Sequence, residues 1–152
     1  VWAWCWYADL WEDERMEWYA VRVVPLASGS TGLGLRVDRE WRTRAIENIV
    51  RTATRHARAH STIEITVDNS AANASISVSD YGPGVPAEAL TAMFRPFFRV
   101  DSSRDTSTGG LGLGLAIAER AIRVHHGKLW SENAHPGLRV YVHLPVAKSP
   151  PA

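Results

Sequence analysis

The chain holds one cysteine, Cys5, in 152 residues. No disulfide can close within it, and the composition suits a reducing, cytoplasmic setting. An excess charge of either sign is also missing: 17 Lys and Arg stand against 16 Asp and Glu, a net +1. That balance argues against a dedicated nucleic-acid surface, which carries a basic excess. No apolar run approaches the length of a membrane span, and no signal-peptide pattern is present, so membrane contact by this stretch itself is not expected. What remains is ordinary: 45% hydrophobic and 22% charged residues, enough to build one domain with a proper core. The chain begins at Val1, and we expect it to be a piece of something longer.

Periodicity divides the chain. Residues 1–20 alternate Trp2, Trp4 and Trp6 with small residues, then turn acidic and helical at 9–15; a strand whose apolar surface meets a neighbour is the expectation. Residues 21–26 read as a strand with Pro25 near its end, 27–30 as a turn, and 31–35, with Gly32 and Gly34, as a hairpin and the second strand. Asp38 is placed to cap a helix over 39–60, with Ile46, Ile49, Val50, Ala53 and Ala57 as its buried stripe. Residues 62–68 and 75–79 alternate as two antiparallel strands. A short helix is expected over 87–93. A further helix over 115–125 should turn Ile117, Ala121 and Val124 inward and stop at Gly127. Residues 128–132 and 138–144 form a closing hairpin, and a Pro-containing tail follows at 148–152.

Two glycine clusters stand out, Gly82-Pro83-Gly84 and Gly109-Gly110-Leu111-Gly112-Leu113-Gly114. Glycine permits positive φ and lets backbone approach a ligand closely. The second cluster runs directly into a helical pattern at Leu115, and a glycine-rich turn that opens a helix presents N–H groups to a phosphate. The first is headed by Asp80 and Tyr81 and ends at Val85. Between Val85 and Gly109 lies the expected lid, with Phe94-Arg95-Pro96-Phe97-Phe98-Arg99 and a polar, charged run over 102–108 that is expected to be mobile without ligand.

These residues resemble the Bergerat-type ATP-binding domain of sensor histidine kinases, gyrase-type topoisomerases, Hsp90 chaperones and mismatch-repair proteins. The resemblance covers roughly residues 33–145. Asp80 to Gly84 is similar to the first glycine box, and Gly110 to Leu115 to the second. Phe94 to Arg99 resembles the aromatic box of the histidine kinase branch, and the run as a whole resembles envelope-stress sensor kinases. On the first helix, Asn48, Thr52, Arg55 and His56 resemble that branch's asparagine box.

The resemblance implies a two-layer α/β sandwich, with a mixed sheet covered on one side by helices. ATP would lie between helices and lid. Asp80 would accept a hydrogen bond from the adenine amino group, with Gly82, Gly84, Val85 and His56 around the base. Gly110, Gly112, Leu113, Gly114 and Leu115 would line the phosphates together with Arg55, and Phe94 would anchor the lid. Arg99 would face the terminal phosphate as the catalytic cation. Asn48 and Thr52 would offer oxygens to Mg²⁺. Two positions of the asparagine box depart from the family: Thr52 stands where a second Asn binds the metal, and His56 where an aromatic ring packs near adenine. Leu111 replaces a Thr or small residue.

The implied function is transfer of the ATP γ-phosphoryl group to a histidine on a separate dimerisation domain. A response-regulator receiver domain would be the next partner, and the parent protein would be a homodimeric inner-membrane sensor. None of the six His residues sits in the acceptor motif of that family; His125 and His126 read as a solvated helix end. Residues 1–20 would end a dimerisation linker and 21–147 form the ATP-binding domain. A degenerate nucleotide-binding regulatory module and an anti-sigma-factor serine kinase share the fold. The aromatic box ranks the second below the first.

Overall fold

The structure is a computed structural model that describes residues 4–6, 20–25, 39–69, 73–100 and 111–145. Its elements in chain order are β1 (Trp4–Trp6), β2 (Ala20–Pro25), α1 (Arg39–His56), β3 (Thr62–Asn69), β4 (Asn73–Ser79), α2 (Ala89–Ala92), α3 (Gly114–Val124), β5 (Lys128–Asn133) and β6 (Leu138–Pro145). The expected cap at Asp38, the helical reading of 9–15 and the hairpin strand at 31–35 lie outside the described residues.

The strands form one sheet in the order β1-β2-β3-β4-β6-β5. β2 and β3 run parallel, and every other pair is antiparallel. The mixed sheet of the α/β sandwich is therefore as expected. Both edges of β2 are taken, by β1 and β3. The parallel pair is possible because α1 intervenes between β2 and β3, as a crossover between parallel strands requires.

Alternation explains why the middle strands sit where they do. In β6 every second residue, Leu138, Val140, Val142 and Leu144, is buried, and the residues between them are half-buried. In β4 Ala74, Ile76 and Val78 alternate as buried positions, and Ser79 at the strand's end is buried too. These rows meet α1 and α3, and the most deeply enclosed side chains are Ile49, Ile63, Val78, Val142 and Leu144. Each such side chain contributes about 1.5–3 kcal/mol by leaving water.

Three sequence expectations are corrected at the helices. α1 ends at His56, not at 60: His60 adopts φ +61° and the Ser61 amide bonds back to Arg58. α3 is rotated from the expected face. Leu115, Ala118, Ala121 and Ile122 are buried, while Ile117 and Val124 are 46% and 60% exposed. Of the expected inward set only Ala121 is buried; the helix carries apolar residues on both faces, so spacing alone did not fix which of them meets the core. α3 also ends differently. His126, with φ +60°, is the left-handed residue, and the amides of His126 and Gly127 bond to Arg123 and Ile122 carbonyls. This is the paired-bond C-terminal cap. Gly127 serves close approach instead, since a Cβ there would lie 2.6 Å from the His143 carbonyl oxygen.

Candidate functional site

Asp80 follows β4 directly and is 2% exposed. Its amide donates to the Leu138 carbonyl, and its Oδ1 accepts from the Leu138 and Gly82 amides at 3.2 and 2.8 Å. A buried carboxylate is costly unless hydrogen-bonded, and these bonds lock its orientation. Both go to Oδ1, which leaves Oδ2 as the acceptor for anything placed against it.

The first glycine cluster is shaped by contact. A Cβ on Gly82 would lie 2.1 Å from the His56 carbonyl oxygen, so the loop rests directly on the end of α1. Gly84 adopts φ +77°, a conformation costly for any residue with a Cβ. From across the fold, Gly137 at φ +94° presses on Asp80: a Cβ on it would come within 1.9 Å of the Asp80 carbonyl oxygen.

The second cluster meets α1 one turn and more away. Gly112 has φ +70°, and its carbonyl accepts from the Phe97 amide at 2.9 Å. Leu113 is the N-cap of α3 and makes no side-chain capping bond, so the first-turn N–H groups have no partner from that side chain. A Cβ on Gly114 would lie 3.6 Å from Asn48 Oδ1 and 3.8 Å from Thr52 Oγ1. Helix α1 thus touches one glycine cluster at Asn48 and Thr52, and the other at His56. From Asn48 to His56 the helix rises about 12 Å, the scale of an extended nucleotide.

Asn48 and Thr52 are both engaged within α1. The Thr52 hydroxyl donates to the Asn48 carbonyl at 2.8 Å, which leaves its oxygen lone pairs for an acceptor role. Arg51 donates to Asn48 Oδ1. Among the described residues no group of three or more His, Cys, Asp or Glu could hold a metal. The oxygens here are hard and neutral, a set that suits a magnesium ion carried on phosphates better than one held by protein alone.

The remaining expected residues are dispersed. Val85 and Leu115 are buried in the core at 7% and 6%, and Leu113 is half-buried. Phe94 and Phe98 pack against the core, but Phe97 is 72% exposed at φ +65°, so the aromatic cluster has two inward members. Arg55 and Arg99 are exposed, and Gly110 lies outside the described residues.

Two contributors were not legible beforehand. Asn133 of β5 accepts from the Val85 amide at 3.0 Å and donates to the Val85 carbonyl at 2.7 Å. Ser131, two residues earlier, donates to the Leu90 carbonyl at 2.9 Å, tying α2 to the same strand. The partners are 48 and 41 residues apart. The sole local signal is an Asn inside a strand, where it is disfavoured.

Comparison with known proteins bears on the family and the fold. Residues 37–148 match the family model described as histidine kinase-, DNA gyrase B-, and HSP90-like ATPase. Sensor histidine kinase CpxA of Escherichia coli strain K12 is 45% identical over 105 residues, 68% of this chain and 22% of that protein. The catalytic domain of histidine kinase ThkA, in a nucleotide-free form, superposes with a TM-score of 0.64 at 29% identity, covering 75% of this chain and 73% of that one. A mycobacterial sensor histidine kinase, MprB, shares the fold at 24% identity and a TM-score of 0.67, covering 86% of this chain and 84% of that one. The chain spans about a fifth of the length of curated relatives such as CpxA. Three glycine-lined contacts at Asp80, His56 and Gly114, on a mixed sheet under α1 and α3, accompany the family match over residues 37–148 and 45% identity to a sensor kinase over 105 residues; the chain belongs to the histidine kinase-, DNA gyrase B-, and HSP90-like ATPase family, on its sensor histidine kinase branch.

Proposed function

We propose that residues 21–147 form the ATP-binding catalytic domain of a sensor histidine kinase, which passes the γ-phosphoryl group of ATP to a histidine on a separate dimerisation domain. The observation that carries this reading is the span of α1, which reaches Gly82 beside Asp80 at one end and Gly114 at the start of α3 at the other. In this reading Asp80 Oδ2 accepts from the adenine amino group. The loop from Gly82 to Val85 and the end of α1 at His56 line the base. The N–H groups of Gly112, Leu113, Gly114 and Leu115, with Gly110 and Arg55, take the phosphates. Phe94 anchors the segment that leads to Arg99, whose guanidinium neutralises charge on the transferring group.

ATP supplies the transferable phosphoryl group, and Mg²⁺ arriving on it would take oxygens from Asn48 and Thr52. This chain's own work is positioning and charge stabilisation, which is most of what phosphoryl transfer needs. The attacking imidazole belongs to the dimerisation domain, and a receiver domain would take the phosphoryl group onward. The parent protein would be a homodimer with this domain on the cytoplasmic side.

A second reading, a regulatory module with weak or no kinase activity, draws on the engagement of both Asn48 and Thr52 inside α1. Titration of the purified chain with ATP, with and without Mg²⁺, followed by phosphotransfer to an added acceptor hairpin, separates the two. Binding with transfer supports the kinase; binding without transfer supports the module. No binding at all removes both.

A further inference from the structure

We infer that Asn133 is a positioning residue for the base end of the nucleotide site, an inference that rests on the ATP reading above. Val85 lies in no helix or strand, yet it is 7% exposed. Buried backbone N–H and C=O groups need partners, and Asn133 serves both of Val85's with one carboxamide, at 3.0 and 2.7 Å. Only Asn or Gln among side chains offers a donor and an acceptor side by side in the way this pairing uses.

The loop is built around that carboxamide. A Cβ on Gly84 would lie 2.7 Å from Asn133 Oδ1 and 3.3 Å from its Cγ. Gly84 is therefore needed for the room it leaves as well as for its φ of +77°. The loop from Gly82 to Val85 is held at its start by Asp80 Oδ1 on the Gly82 amide and at its end by Asn133. Because one carboxylate both orders the loop and offers Oδ2 to the base, loosening the far clamp disturbs the near one. Asn133 acts on the ligand through Val85 and Asp80, without touching it.

The test is calorimetric titration of the 152-residue chain with ATP, ADP and adenosine, for wild type, Asn133→Leu and Asn133→Asp. Amide hydrogen exchange without ligand accompanies it. Asn133→Leu removes both bonds and is expected to weaken all three ligands by the same factor, about tenfold. Asn133→Asp keeps the acceptor for the Val85 amide and loses the donor to its carbonyl. It is expected to cost about threefold, and it serves alone if the leucine variant does not fold. Exchange should quicken at Gly84 and Val85 and stay unchanged in α1 and α3; a general loss of stability would quicken all of them. Wild-type binding of ATP with unchanged affinity in both variants overturns this inference alone. A loss confined to ATP, sparing adenosine, also overturns it, because the effect would then lie at the phosphate end. Failure of wild type to bind ATP overturns the ATP reading and this inference with it.

Discussion

Gly137 illustrates how single positions without side chains shape this site. Its φ is +94°, and any Cβ there would meet the Asp80 carbonyl oxygen at 1.9 Å. Gly137→Ala must therefore displace the hairpin or the carboxylate. We expect it to cost about 3 kcal/mol or more, which lowers Tm by about 9 °C in a chain of this size; differential scanning calorimetry reads this directly. Thr52 is the opposite case, a residue whose chemistry and not its space is in question. Its hydroxyl hydrogen is committed to the Asn48 carbonyl, and it presents oxygen on a shorter arm than asparagine. Thr52→Asn is expected to raise ATP affinity about tenfold in Mg²⁺ and to leave it unchanged in EDTA, since the longer carbonyl reaches a metal on the phosphates. Equal gains in both media would show that the position acts on nucleotide and not on metal.

Helix α3 carries the next prediction. It has apolar residues on two faces, and packing selected Leu115, Ala118, Ala121 and Ile122 for the core. Leu115→Ala should cost about 2–4 kcal/mol, as a large-to-small change in a packed interior. Ile117→Ser, at a site 46% exposed, should stay within about 0.5 kcal/mol. Urea denaturation of the two variants checks the assignment, and a reversal of their order would mean that the helix is turned the other way. The strand β5 is the other informative element. Among the described residues it is an edge strand paired to β6 alone, yet it holds both α2, through Ser131, and the loop after Asp80, through Asn133. Its value to the site lies in side-chain tethers more than in pairing.

Across the whole molecule, ligand and fold are linked because the proposed site is assembled from separate elements: α1, the loop after β4, the start of α3 and the β5–β6 turn. A ligand that binds only this assembled state stabilises it by RT ln(1 + [L]/Kd), about 2.7 kcal/mol at one hundred times Kd. ATP at that excess should raise Tm by about 8 °C, and GTP should raise it much less, because Asp80 Oδ2 is an acceptor and guanine offers a carbonyl where adenine offers an amine. A thermal-shift titration measures both. Equal shifts for the two nucleotides would remove Asp80 from base recognition.

The amino-acid sequence by itself determined the elements and the chemistry available to them. Alternation in 62–68 and 138–144 forces strands with one buried face, and the glycine clusters with Asp80 point to a ligand site, because those are properties of local spacing. It could not choose between the two apolar faces of α3, since periodicity gives an angle between residues and not the direction in which the core lies. Nor could it reveal Asn133 beside Val85 or Gly137 beside Asp80, contacts that join residues 48 and 57 positions apart. Those were decided by the sheet order, in which β6 lies against β4 and carries β5 along. Tertiary packing brought the hairpin over the loop, and only there do the glycines have a neighbour to make room for.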